Sequence, residues 1–112
     1  MTTYERGSVV LVTFVFSDES GRKLRPALVI SSPAFQRARK EVTVAAITSN
    51  VKRRLSGDQA LAHWKAAGLL FPSTLTGILR TVDRTMLVRR LGGLSKEDLA
   101  AVDRQLRRNL GL

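Results

Sequence analysis

Hydrophobic residues occur in short segments separated by polar, turn-forming stretches, a pattern typical of a small β-rich fold. The segment Ser8–Phe16 carries β-branched and aromatic residues on both of its alternating faces, which predicts a strand buried on two sides. Pro26 fits the first position of a second strand, and Gly77 indicates a bend or bulge within the fourth. The later strands are predicted over residues 27–31, 42–48, 72–82 and 87–91.

The C-terminal segment has the spacing of an amphipathic helix. Ser95 is a good N-cap, and Gly111 is a suitable residue just after the last turn. One apolar stripe is formed by Leu99, Val102, Leu106 and Leu110. Residues 59–67 are a weaker helix candidate, because Ala and Leu favour helix there and Gly68 would end it. Residues 32–41 are polar and basic and carry no predicted element, and residues 49–58 and 83–86 are predicted as a loop and a turn.

These elements predict a mainly β fold, a small and strongly bent sheet followed by a packed C-terminal helix. The length of 112 residues is that of one domain, expected over residues 1–112. No apolar run approaches the ~20 residues of a membrane span, and the N-terminus lacks a secretory signal. We therefore expect a cytoplasmic protein. The absence of Cys excludes disulfides, a thiolate nucleophile and cysteine metal ligands.

The charge is strongly unbalanced, with 19 Lys and Arg against 9 Asp and Glu, a formal net charge of +10. Such an excess indicates a polyanionic partner: nucleic acid, an acidic protein or an anionic membrane surface. The membrane is disfavoured, since the one clear amphipathic helix has an apolar stripe suited to packing on a sheet. The basic residues cluster in or beside predicted loops, at residues 22–25, 37–40, 52–54 and 89–90.

The residue inventory limits catalysis. The acids are scattered, no nucleophile-elbow or phosphate-loop motif occurs, and the single His63 fits a surface position better than a catalytic base. Two residues lie at strand ends. Arg25 directly precedes Pro26 and an apolar strand, where a guanidinium could bind phosphate and stabilise charge in a phosphoryl transition state. Thr48 ends the third strand. From the residues alone, both an ordinary surface role and a catalytic role stay open.

Several segments, in order along the chain, resemble the MazF/PemK-type toxins. The resemblance begins with their N-terminal signature, over residues 6–12, 14–18 and 23–31, the last of these reading Lys-Leu-Arg-Pro-Ala-Leu-Val-Ile-Ser. It continues through residues 46–49, 64–69, 72–73, 81–84 and 91–95, and so covers nearly the whole chain. Two departures occur: Ser8 replaces an Asp that the family commonly has, and Val15 replaces a common Pro.

The resemblance implies an SH3-like β-barrel with a C-terminal helix, usually as a homodimer. It also implies the toxin of a type II toxin–antitoxin system, a metal-independent endoribonuclease that cuts single-stranded RNA at short sequences and needs no cofactor. In that chemistry the RNA 2′-hydroxyl attacks the adjacent phosphate and leaves 2′,3′-cyclic phosphate and 5′-hydroxyl ends. The family's catalytic roles are carried over to Arg25, for charge stabilisation and leaving-group protonation, and to Thr48, for holding a phosphate oxygen.

A ribonuclease toxin neutralised by a cognate acidic antitoxin is therefore the leading hypothesis, with RNA and antitoxin competing for one basic groove. Glu19, in a loop where family members often carry an acid, and Ser49 are supporting candidates. The predicted RNA-binding residues are Arg22, Lys23, Lys52, Arg53 and Arg54. The alternative is a non-catalytic SH3-like basic module that binds nucleic acid or an acidic protein, and the changes at Ser8 and Val15 favour it. RNA binding without cut products would distinguish this alternative.

Overall fold

The structure, a computed structural model, describes residues 2–16 and 21–112. Within these residues the strands are β1 (Ser8–Phe16), β2 (Gly21–Val29), β3 (Glu41–Thr48), β4 (Gln59–Ala60), β5 (Thr74–Asp83) and β6 (Leu87–Gly93). The helices are α1 (Pro33–Arg39), α2 (Lys96–Leu110) and a short 3₁₀ helix, Arg84–Met86. None of these helices is long and apolar enough to cross a membrane.

The six strands form one antiparallel sheet in the order β4-β5-β3-β2-β1-β6. Register shifts interrupt the β1–β6 pairing and the β3–β5 pairing, and such irregularities bend and twist strands. The β3–β5 shift brackets Gly77, where the sequence predicts a bend. The sheet curls into a half-barrel with α2 following it, so the predicted SH3-like, mainly β fold class is confirmed.

Strand β2 begins earlier than the sequence predicts. It starts at Gly21 rather than at residue 27, so that Pro26 lies inside the strand instead of at its first position. β2 pairs with β1 over residues 21–28 but with β3 only over residues 27–29. Pro26 therefore lies where β2 is paired on one side only, which is where a strand tolerates Pro. Residues 21–25 are all exposed and three of them are basic, so the sequence shows no strand pattern there.

Both faces of the central strands are buried, as predicted for β1. Val9 and Val10 point to opposite faces, and both are 0% exposed. One face packs with α2 and the loop after β4 in a cluster that includes Leu28, Ala45, Ile47, Val102 and Leu106. The other face packs in a second cluster that includes Val12, Phe14, Ala27, Val29 and Val44.

Helix α2 has the ends and the buried stripe that the sequence predicts. Ser95 caps it, with its Oγ accepting from the Asp98 N–H at 3.1 Å, and Gly111 ends it in the left-handed conformation. Val102 and Leu106 are buried, whereas Leu110 at the end of the stripe is 53% exposed. The last turn thus extends beyond the sheet.

Two further local predictions differ from the structure. The sequence analysis missed α1, although Ser32 accepts from the Phe35 N–H at 3.1 Å as its N-cap and Pro33 occupies the first turn. The predicted helix over residues 59–67 is wrong: two residues form β4, and turns follow. Asp98 of α2, 3% exposed, accepts from the backbone N–H groups of Ala62 and His63 at 2.9 and 2.8 Å. These tertiary bonds override helix propensity.

The predicted turn at residues 83–86 is the 3₁₀ helix. Asp83 caps it by accepting from the Thr85 hydroxyl at 2.7 Å and the Thr85 N–H at 2.9 Å. These hydrogen bonds favour the charged form and lower the pKa of the Asp83 carboxyl.

The loop between β4 and β5 lies with its backbone directly against β6. A Cβ atom placed on Gly68 would lie 2.2 Å from the Leu91 carbonyl oxygen, and one on Gly92 would lie 2.4 Å from the Ala67 carbonyl oxygen. The backbone of the opposite segment therefore leaves no room for a side chain at either position, and only glycine fits there. We call this the Gly68–Gly92 contact.

We expect Gly92→Ala to destabilise the protein by about 1–3 kcal/mol or more, because the new methyl group meets backbone that cannot rotate away. Gly77→Ala is the matched control, since its Cβ would make only ordinary van der Waals contacts, with the Asn109 side chain at 3.4 Å and the Gly57 carbonyl oxygen at 3.7 Å. Its free energy of unfolding should change by less than about 1 kcal/mol. Urea denaturation of both variants measures the difference, and equal stabilities would contradict the Gly68–Gly92 contact.

Candidate functional site

Arg25 and Thr48 come together where β2 and β3 separate. The paired register of these strands runs from Val29–Val44 to Ala27–Ala46 and then stops. Continuing it by two residues places Arg25 opposite Thr48, on the same face as Ala27 and Ala46. The two side chains line the same two cavities, and so the structure brings together the pair that the sequence analysis selected.

The larger cavity is a groove of 690 Å³ between the end of β3, the loop after β4, and β6. Its cations are Arg25 and Arg89, from β2 and β6. Ser49 also lines it, as does Asn50. Apolar side chains form the remaining walls, among them Leu11, Leu69, Leu70, Phe71 and Leu91. We call this cavity the groove.

The smaller cavity, of 230 Å³, adjoins the groove at Arg25 and Thr48, and we call it the side pocket. Three arginines line it: Arg25, Arg53 and Arg80. The guanidinium carbon of Arg80 lies 5.5 Å from the centre of the Phe14 ring. Its apolar walls come from Phe14, Val44, Ala46, Ile47 and Ile78. The sequence analysis missed Arg80, because only the pairing of β5 with β3, Val44 opposite Arg80, brings it to this face.

The Thr48 hydroxyl is free to donate a hydrogen bond. Its Oγ1 accepts from the Asn50 N–H at 3.1 Å, and among the described residues no acceptor takes its proton. Thr76 in the side pocket differs, since its hydroxyl donates to the Ala46 carbonyl at 2.8 Å and accepts from the Ile78 N–H at 3.2 Å. Thr48 can therefore donate to an anion in the groove, and Thr76 cannot.

The Arg25 guanidinium is also available to a ligand. The side chain is exposed, and its only hydrogen bond with described residues is a 3.4 Å one to the Leu24 carbonyl. A guanidinium offers five donors in a planar fork that matches two phosphate oxygens. Arg25 and Thr48 together thus present donors, without a neighbouring carboxylate among the groove-lining residues, to a phosphate at the junction of groove and side pocket.

The predicted RNA-binding residues are not all at this junction. Arg53 lines the side pocket. Lys52 and Arg54, its neighbours on the exposed loop, line neither cavity. Arg22 and Lys23 also lie outside both cavities. Because side chains alternate along a strand, Lys23 shares the face of Arg25 and Arg22 points to the opposite one. Glu19 lies outside the described residues.

Two other residues from the sequence analysis have structural contacts away from the groove. His63 Nδ1 lies 2.9 Å from the Ser95 hydroxyl at the start of α2, consistent with its predicted non-catalytic position. Ser8 of β1, 1% exposed, accepts from Nε of Arg90 on the paired strand β6 at 3.2 Å. The Ser8 departure therefore changes a strand contact and not the groove. Among residues 2–16 and 21–112, no three His, Asp or Glu side chains are grouped as metal ligands would be.

Comparisons with known proteins agree on one family. A family model described as PemK-like, MazF-like toxin of type II toxin–antitoxin system matches residues 5–110. Comparison with curated protein sequences gave no significant match.

Solved structures share the fold. A MazE–MazF complex from Deinococcus radiodurans matches with a TM-score of 0.79 at 24% identity, covering 99% of each chain. The Mycobacterium tuberculosis toxin MazF-mt6 matches with a TM-score of 0.76 at 24% identity, covering 94% of this chain and 97% of that one. An endoribonuclease from a mycobacterial species matches with a TM-score of 0.77 at 20% identity, covering 100% and 95% of the two chains.

Proposed function

The chain belongs to the PemK-like, MazF-like toxins of type II toxin–antitoxin systems, and we propose that it is a metal-independent endoribonuclease that cleaves single-stranded RNA. The observation that carries this proposal is the position of Arg25 and Thr48 side by side at the junction of a cationic groove and a side pocket. Similar folds named as endoribonucleases support it. We assign the activity to one domain, residues 1–112, acting in the cytoplasm.

In the proposed reaction, the 2′-oxygen of the RNA attacks the adjacent phosphorus as its proton passes to solvent. The bond from phosphorus to the 5′-oxygen breaks, and that oxygen takes up a proton, delivered from solvent with Arg25 as its hydrogen-bond donor. The products are a 2′,3′-cyclic phosphate and a 5′-hydroxyl. All the chemistry is internal to the RNA, so the protein's task is to position one phosphate and stabilise its charge.

Arg25 and Thr48 divide that task. Negative charge grows on the non-bridging oxygens as the phosphorus becomes pentavalent, and the Arg25 fork donates to those oxygens and to the leaving 5′-oxygen. The Thr48 hydroxyl, held by the Asn50 N–H at 3.1 Å, donates to one phosphate oxygen and keeps the phosphate in place. Ser49, which lines the groove, and Glu19 stay supporting candidates.

Of the five predicted RNA-binding residues, Arg53 is the one that lines the side pocket, so it would hold the RNA backbone near the reacting phosphate, with Lys52 and Arg54 beside it on the same loop. Arg22 and Lys23 would contact RNA only further along β2. A cognate acidic antitoxin would compete with RNA for these cations. Similar folds solved as MazE–MazF and as an endoribonuclease with its cognate antitoxin support an antitoxin partner. We also propose that the protein acts as a homodimer.

Incubation of the purified protein with a long single-stranded RNA in EDTA should give discrete fragments. Their 5′-hydroxyl ends should accept labelled phosphate from polynucleotide kinase without prior phosphatase treatment, and their 3′ ends should be cyclic phosphates. A single-stranded DNA of the same sequence is the control and should stay intact, because it lacks the attacking 2′-hydroxyl. Cleavage abolished by EDTA would contradict metal independence, and RNA binding without fragments would favour the non-catalytic module.

Arg25→Ala should lower the cleavage rate by about 10²–10³-fold, the usual effect of removing one donor to developing charge. Thr48→Ala should lower it by more than about tenfold, whereas Thr48→Ser, which keeps the hydroxyl, should recover most of the rate. Arg104→Ala, an exposed site on α2 outside both cavities, is the control and should cleave like wild type. Wild-type rates for Arg25→Ala or Thr48→Ala in single-turnover assays would reject the assignment.

Arg53→Ala should reduce the salt dependence of RNA binding more than Arg22→Ala does. The slope of log affinity against log salt concentration should fall in magnitude by about 0.7 for each phosphate of a single strand that is no longer neutralised. The probe is an uncleavable 2′-O-methyl RNA, titrated at several salt concentrations. Both arginines were predicted from sequence to bind RNA, and only Arg53 lines the side pocket. Equal slopes for the two variants would show that the cavity does not govern backbone binding.

A further inference from the structure

Two large apolar side chains lie exposed at the edge of the groove. Leu70 is 84% exposed and Phe71 is 63% exposed, and both line the groove from the loop between β4 and β5. We call these two residues the lip. Exposed neighbouring apolar side chains beside a cavity commonly mark a binding surface.

The loop that carries the lip is firmly held. The Gly68–Gly92 contact presses its backbone against β6, and the Ser73 hydroxyl, itself buried, donates to the Phe71 carbonyl at 2.7 Å. Leu69, directly before the lip, is 7% exposed and packs in the core with α2. These contacts fix the backbone at Phe71, so the ring is held in an exposed position at the groove.

The groove combines this ring with cations. Arg25 and Arg89 line the same cavity as Phe71. Single-stranded nucleic acid repeats two features at every nucleotide, a phosphate and a flat base, and proteins bind it by pairing cations with exposed aromatic rings. An acidic peptide would satisfy the cations and would have no regular partner for the ring. The arrangement fits an RNA strand best.

We propose that Phe71 is a stacking platform for an unpaired nucleobase of the RNA strand whose phosphate is bound at Arg25 and Thr48. The inference rests on the proposed function and adds to it a base-binding residue. Leu70 extends the apolar surface beside the ring. Because Phe71 binds a base that does not react, it contributes to RNA affinity, whereas Arg25 and Thr48 act on the reacting phosphate.

The test compares Phe71→Leu with Phe71→Tyr. Leu keeps an apolar side chain and removes the ring, whereas Tyr keeps the ring. Phe71→Leu should weaken binding of uncleavable 2′-O-methyl RNA by about 5- to 100-fold, the usual range for removal of one base stack. With cleavable RNA, its KM should rise similarly and its kcat should stay within about twofold. Phe71→Tyr should resemble wild type, and so should Phe35→Leu, a partly exposed aromatic on α1 outside the groove.

Three results would overturn the proposal. RNA affinity unchanged in Phe71→Leu would show that no base stacks on the ring. A loss confined to binding of poly-glutamate would assign the lip to an acidic protein instead. A changed molar mass in light scattering would assign it to a contact between copies of the chain. Since binding of uncleavable RNA does not require catalysis, wild-type protein that binds but never cleaves would reject the proposed nuclease and leave the stacking platform intact.

Discussion

Strands β2 and β3 are hydrogen-bonded over only three residue pairs, from Val29–Val44 to Ala27–Ala46. β2 continues along β1 for six more residues, while β3 continues along β5. The sheet opens between its two middle strands as it curls, and the opening becomes the groove and the side pocket. Arg25 and Thr48 are the first polar residues past the last pair, on the same face as Ala27 and Ala46. The separation of β2 from β3 thus creates the cavities and also supplies their central polar side chains.

The opposite wall of the groove depends on contacts made elsewhere. Asp98 of α2 holds the backbone N–H groups of Ala62 and His63, and the Gly68–Gly92 contact sets the same loop against β6. Asp98 is 3% exposed, and hydrogen bonds to a charged group contribute more than neutral ones, so these two bonds hold the loop firmly on α2. Helix α2 therefore supports the groove without lining it. The contacts of the loop with α2 and β6 also fix the position of the lip, Leu70 and Phe71.

Much of the framework could be predicted from sequence because local pattern and tertiary packing agree. β1 and β3 are dense in β-branched residues, and α2 has a cap, a stripe and a terminal glycine. Predictions failed where local pattern and tertiary packing disagree. Residues 21–25 are exposed and carry three basic residues, yet they pair with β1, since one-sided pairing at the surface does not require buried apolar side chains. The Arg6 guanidinium, 97 residues away along the chain, binds both oxygens of Asp103 at 2.6 and 3.1 Å, a contact that no local pattern records.

The amino-acid sequence alone determined the fold class, the family, the excess of positive charge and the choice of Arg25 and Thr48. Those properties follow from local composition and from motifs in order along the chain. Tertiary structure decided which cations share a cavity: Arg53, Arg80 and Arg89 line the groove or the side pocket, and Arg22 does not. It also decided that Phe71 is exposed there. Strand pairing and sheet curvature join residues far apart in sequence, and no local pattern records which face of the curl a side chain will occupy.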